Sequence, residues 1–506
     1  MLLPSSTGLS RAHTWLHRRL TGSFIRPVLT LVSGVVVAQA IVFAARPILT
    51  RLFLPDEFGV LTLFVTLVAL LGALATGHFD DAQLLPSSRR DAAGLLLLAL
   101  GLAAATALAA LIISPWRENL AMFFKSPDLA PTLLLLSPGL LLLACGQALE
   151  GWHTRHDRFR LVSGGRVAQS IVVVTVQIGA GVLGAGAFGL AGGAALGFAA
   201  LTITVGAGLL ARDRAVLRAS ASWPTLRALA LRYRRFPLFS TPAAFLNLLS
   251  ARVPVLLLAS FFGSATVGLF GLAFGTLALP VGVVTGSVGQ VFGVRAPVAF
   301  REETLGSLTA QVYRRLLAVA LFPMAAVALA GPDLFAFLFG EPWREAGVYS
   351  QYLAPWLCIT AIASPLTRLF DVTEKQRADL GFSILLFSVQ VLVLIFASRT
   401  GQPRIAVAAV AVGGLLSRTL QVIWMLRIGG ASVRRAGYDL AQHTAIAVAL
   451  LIPAGLALWF SESILLLIGA IAAAGFTYAA LVIRMDWRKS ESDWTATTEA
   501  IESTET

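Results

Sequence analysis

The sequence predicts an all-α polytopic membrane protein of about fourteen transmembrane helices, two six-helix bundles followed by one further pair. Three observations predict it. Of the 506 residues, 57% are hydrophobic and 13% charged, where a soluble domain carries about 25% charge, and mean hydropathy is +0.80. The apolar residues fall in runs of about 20, the length a helix needs to cross a hydrocarbon core of ~30 Å. Basic residues gather in alternate gaps between those runs. With the amino terminus in the cytoplasm, thirty of the 39 Lys and Arg residues lie on inner segments and seven on outer ones. One helix more or fewer would scramble that alternation, so the bias supports the count and an orientation with both termini cytoplasmic.

Residues 1–26 carry Arg11, Arg18, Arg19 and Arg26 and read as a basic cytoplasmic tail, with His13 to Leu20 either a short surface helix or plain tail. The first apolar run is too long for a signal-peptide core, so it stays as the first helix. The first bundle, 27–210, holds spans Pro27–Ala45, Phe58–Gly77, Ala92–Ile113, Pro131–Leu149, Val167–Gly184 and Phe188–Leu210. A cytoplasmic linker, 211–236, carries seven arginines, which orient the chain and contact anionic headgroups or gather an anionic substrate. The second bundle, 237–426, holds Pro237–Phe261, Val267–Phe292, Leu316–Phe337, Ala346–Leu366, Leu380–Ala397 and Ile405–Met425. Residues 427–483 add Thr444–Trp459 and Ile464–Ile483, and 484–506 form a polar cytoplasmic tail.

An internal repeat supports the two bundles. Phe58-Gly59-Val60-Leu61 opens the second span and Val267-Gly268-Leu269-Phe270 the eighth, while Val176-Gln177 in the fifth matches Val389-Gln390 in the eleventh. Parallel repeats of this kind place a transporter's substrate at their interface. Gly189, Gly193 and Gly197 form a small-residue row for close helix packing.

Several chemistries are excluded. The three lysines make no phosphate-binding loop, so the chain is no P-loop ATPase. No HExxH spacing or cysteine pair offers a zinc site, and Cys145 and Cys358 lie in apolar runs. The net charge of +13 is spent on topology, so no nucleic-acid partner is expected. Short outer loops speak against an enzyme, and no catalytic residue, cofactor or metal ligand is expected.

Arg252, in the middle of the seventh apolar run, is the main lead. A guanidinium at that depth costs roughly 2.5–3.5 kcal/mol on insertion scales and must face water, a partner or an anion. Arg418 is the second deep arginine. Guanidinium holds phosphate oxygens in a bidentate fork and stays charged, so the two suit a pyrophosphate; the alternative is a packing bond to Asn247 or Gln421. Arg46 and Arg51 flank Pro47 past the outer end of the first helix, either snorkelling or receiving an anion. His78, Asp80, Asp81 and Glu150 close helix ends at the inner face, as loop contacts or, paired with Arg89, Arg90, Arg155 or Arg158, as an inner gate. The one acid inside the predicted spans is Asp333, near an outer end. A cation-coupled exporter needs a deeper carboxylate; deep arginines point to an anionic substrate.

Ile48 to Gly59 (ILTRLFLPDEFG), Phe236 to Phe270 and Phe339 to Gly347 (FGEPWREAG) together resemble bacterial polysaccharide-biosynthesis flippases, the Wzx-type O-unit exporters of the multidrug/oligosaccharidyl-lipid/polysaccharide exporter superfamily. The resemblance runs over about residues 25–430, and its motifs are diffuse, so it rests on their number and order. It implies two six-helix bundles in a V around a central cationic cavity. Fourteen helices are also similar to lipid II flippases, whose extra pair forms a groove for the lipid tail. The implied function is a flippase carrying a polyprenyl-pyrophosphate-linked oligosaccharide to the outer leaflet of the inner membrane by alternating access. The implied partners are that glycan lipid, membrane lipids and a glycan polymerase or assembly complex; a monomer is expected. Alternatives are a lipid II-type flippase, a drug or metabolite antiporter of the same fold, a membrane-embedded glycan polymerase or ligase, and a non-transporting scaffold of a glycan assembly complex.

Overall fold

The computed structural model describes residues 33–460 and 463–502, with side chains as far as Arg484 apart from position 284. The expected basic tail 1–26, the start of the first helix at Pro27 and residues 503–506 lie outside the described residues. The described residues are mainly helical, with no strand, and hold fourteen helices long and apolar enough to cross a membrane. These are α1 Ser33–Leu52, α2 Pro55–Ala75, α3 Arg89–Phe123, α4 Leu129–Arg155, α5 Phe159–Val182, α6 Gly186–Ser220, α7 Phe236–Phe262, α8 Ser264–Arg301, α9 Leu305–Phe339, α10 Glu341–Val372, α11 Gln376–Ser398, α12 Pro403–Ile428, α13 Val433–Phe460 and α14 from Ile464. The fold class and helix count agree with the sequence reading.

The helices run longer than the apolar runs. A helix must satisfy its own backbone inside lipid, and nothing compels it to stop where charges begin. So α1 continues through Pro47 to Leu52, which puts Arg46 and Arg51 inside the helix and not past its end as expected. The expected Arg-rich linker is largely helical: α6 reaches Ser220 and a short helix follows at Trp223–Arg232. The expectation of a single acid within the spans also fails. Glu150, Asp213 and Asp439 all fall inside helical spans and are buried.

The chain divides into two compact units after Gly268. In the first, Phe79, Leu95, Leu96, Trp152, Leu201 and Val205 form a core shared by α3, α4 and α6. The small-residue row of α6 meets α5: a Cβ on Gly193 would stand 2.5 Å from Gln177 Cγ, and one on Gly189 2.5 Å from Ala180 Cβ. Gln177 Nε2 also donates to the Leu190 carbonyl at 3.0 Å, so the polar half of the Val176-Gln177 repeat ties the two helices together. Span α7 belongs with this unit because it packs on α2. The turn after it is one residue, Gly263 (φ +85), a conformation that favours glycine. Lys125 Nζ donates to the Phe261 carbonyl beside it at 2.8 Å. Beyond the turn, Ser264 bonds Asp56 through its hydroxyl, and the backbones of Gly59 and Ser264 meet where any side chain would clash.

The second unit repeats the device. Gly331 of α9 and Gly347 of α10 oppose each other, and a Cβ on Gly331 would lie 2.5 Å from the Gly347 carbonyl oxygen. Spans α13 and α14 pack on α9 through Phe322, Ala326, Ala447, Leu451, Ala474 and Tyr478.

Candidate functional site

Each deep arginine sits in its own unit. Arg252 lies mid-way along α7, two residues before Pro254, which removes one helical hydrogen bond at that level. Its side chain is half-buried, and it forms no hydrogen bond, ion pair or ring contact with any described residue. Arg418, half-buried in α12, donates from a terminal guanidinium nitrogen to Gln421 Oε1 at 2.6 Å, while its Nε is buried without a partner. The expected packing bond to Gln421 is therefore present, and it leaves part of the fork unused. The predicted Asn247 contact for Arg252 is not formed.

Arg46 and Arg51 are engaged locally. Arg46 lies over the Phe43 ring at 5.7 Å, and Arg51 donates to the Pro47 carbonyl at 3.1 Å. Both contacts run back along α1, as the helix through Pro47 dictates.

The four groups suggested as a gate do not pair with one another or with the arginines expected. Glu150, buried near the end of α4, accepts a bidentate pair from Arg166 of α5, at 2.6 Å from Nε and 2.7 Å from a terminal nitrogen. Asp80 accepts from Thr76 Oγ1 at 2.6 Å. His78 holds a left-handed turn (φ 54) with its Nδ1 buried and unpartnered. Asp81, which the structure leaves exposed, has its carboxyl pKa raised by partial desolvation and by the neighbouring Asp80 charge.

The expected basic partners serve other groups. Arg155 donates to the carbonyls of Gln83 and Leu84 at 3.0 Å and to that of Pro86. Arg89 and Arg158 converge on Asp213, whose carboxylate is fully buried. Arg158 reaches it at 2.6 and 3.1 Å, and Trp152 Nε1 donates to it at 2.9 Å. Asp213 thus joins the start of α3, the end of α4, the start of α5 and the end of α6. Sequence reasoning missed it because it stands in an Arg-rich run (Arg212, Arg214) that reads as surface. The signal available was a single acid among seven arginines. A knot of this kind ties α3 to α6 together at that end and acts as a brace.

In the second unit, a cleft of about 550 Å³ lies between α8 and α10. Gly289 and Gly293 leave one wall bare, and Arg368 faces it with Asp371 3.6 Å from its guanidinium.

The fold is that of an all-α polytopic membrane protein. The lipid II flippase MurJ in an inward closed conformation superposes with a TM-score of 0.70 at 12% sequence identity, over 92% of this chain and 99% of that one. An inward-facing multidrug resistance MATE family transporter of the MOP superfamily gives 0.60 at 17%, over 77% and 94%. A MOP superfamily transporter from Pyrococcus furiosus gives 0.53 at 16%, over 79% and 95%. No curated protein matches the chain. Residues 48–347 match the polysaccharide biosynthesis protein family, and the chain belongs to it.

Proposed function

We propose that this protein is a flippase that carries a polyprenyl-pyrophosphate-linked oligosaccharide, an O-antigen, exopolysaccharide or capsule repeat unit, from the inner to the outer leaflet of the bacterial inner membrane. The observation that carries the reading is Arg252, a guanidinium mid-way along a membrane span with no partner among the described residues, in a family of polysaccharide biosynthesis proteins. An unpaired charge in a membrane span marks a substrate path, and a pyrophosphate supplies the oxygens its fork lacks. Arg418 offers a second, partly free fork. Arg46 and Arg51 make local bonds and play a lesser part. Outward movement of negative charge is favoured by ~2.3 kcal/mol per charge per 100 mV of inside-negative potential, so the membrane potential contributes to the drive without a nucleotide site.

The test begins with a deletion strain in which lipid-linked glycans are extracted and their leaflet probed by a lectin that cannot cross the membrane. Inner-leaflet accumulation with loss of surface polymer is expected. Arg252→Ala and Arg252→Glu at normal expression should reproduce it, and unchanged surface glycan in both would remove Arg252 from the mechanism. Outer-leaflet accumulation would favour a polymerase or ligase, and dye efflux driven by a pH gradient a drug antiporter.

A further inference from the structure

Span α13 begins at Val433, well before the apolar run that announces it, and this extension carries Asp439 and His443 into the helix packing of the second unit. Both are buried, 4% and 5% exposed, and at i and i+4 their side chains share one face. Acid and imidazole buried among membrane helices are costly and mark ion or proton paths.

The surroundings point to a proton. His443 Nδ1 lies 2.8 Å from the Asp439 carbonyl oxygen. A carbonyl only accepts, so Nδ1 carries a hydrogen and donates it, and the neutral ring keeps its lone pair at Nε2. From α9, Tyr313 donates its hydroxyl to the Ala436 carbonyl at 3.2 Å and lies within electrostatic reach of Asp439. From α14, the Tyr478 ring stands edge-on to His443 at 6.5 Å; it is 3% exposed, and its hydroxyl is buried without a partner. From α10, buried Cys358 lies within reach of both tyrosines. From α12, Leu426 adds to the wall. A polar cleft of about 230 Å³ reaches Asp439 and Tyr313, with Arg314, Ser432 and Arg435 also in its lining. One carboxylate and one imidazole are too few ligands for a metal cation of six or more oxygens, whereas a proton needs one lone pair.

We propose that Asp439 and His443 form a proton-binding site of the second unit, reached through this cleft, and that its occupancy is coupled to transport. Uptake places H⁺ on Nε2, turning the neutral ring into an imidazolium one helical turn from the Asp439 carboxylate on the same face. No other bond forms and no electron changes hands. The charge appears where α13 and α14 meet α9, so it acts on the packing of the last pair of helices. The coupling half of the proposal rests on the transport reading; the site itself does not.

The site is tested on the full chain in lipid nanodiscs with ¹³C-labelled histidine rings, titrated by NMR over about pH 5 to 8, the range in which an imidazole changes charge. His443→Gln assigns the signal. His443 should titrate reversibly, and Asp439→Asn should lower its proton affinity about tenfold or more, as loss of a neighbouring carboxylate does. A ring that keeps one protonation state throughout, or a midpoint unmoved in Asp439→Asn, overturns the site. Neither result needs a substrate, so both are independent of whether the cargo is a glycan. For coupling, the wild type in proteoliposomes should flip a polyprenyl-pyrophosphate glycan several-fold faster under an imposed pH gradient, and His443→Gln should lose that response. Equal responses in both, or a response to a sodium gradient alone, would refute coupling.

Discussion

At the scale of single residues, charges in this protein divide into those the protein answers and those it leaves open. Asp213 is answered three times over, by Arg89, Arg158 and Trp152. Asp213→Ala would strand a largely buried arginine and an indole N–H, and removing one partner of a buried pair costs about 3–5 kcal/mol. A clear fall in melting temperature in detergent is expected; an unchanged one would mean that the knot carries no load. Arg252 is the opposite case. Since it bonds none of the described residues, Arg252→Ala should leave melting unchanged while abolishing export of surface glycan. A variant that melts early would show instead that the guanidinium supports packing.

At the scale of elements, the α9–α10 crossing is set by glycine backbone and not by large side chains. Gly331 and Gly347 bring α9 and α10 together so closely that a methyl on Gly347 would stand 2.5 Å from Pro332 Cα. Backbone cannot yield as a flexible side chain does, and overpacking costs about 1–3 kcal/mol. Gly347→Ala should therefore lower the melting temperature, whereas Gly381→Ala, in α11 where an added Cβ meets open space, should not; equal effects would count against the crossing. The element boundaries were the least legible part of the sequence. Hydropathy marks where a helix is apolar, but helices such as α6, α9 and α13 continue into charged sequence, because the backbone gains its hydrogen bonds regardless of what the side chains carry.

At the scale of the whole molecule, thirty basic residues on one set of alternating segments and seven on the other predict sidedness. A periplasm-active reporter should be active when fused after Asp128 and inactive when fused after Ser220 or at the carboxyl end. A reversed pattern would invert the orientation and with it the direction assigned to the membrane potential. The count of fourteen spans was legible because each needs about 20 apolar residues to cross lipid, and that requirement is local in sequence. The family, too, was legible, from short diffuse motifs in a fixed order.

What the sequence by itself determined is thus what lipid imposes one helix at a time: the all-α class, the number of spans, the deep positions of Arg252 and Arg418, and the absence of a phosphate-binding loop. Only the tertiary structure decided which charges meet. It pairs Glu150 with Arg166 and gives Arg89 and Arg158 to Asp213. It turns Arg46 and Arg51 back onto their own helix, and it gathers Asp439 and His443 with tyrosines from α9 and α14. Apart from the contacts within α1, those groupings bring residues of different helices together, and a partner is chosen by where packed helices place a side chain, information that periodicity and composition do not carry.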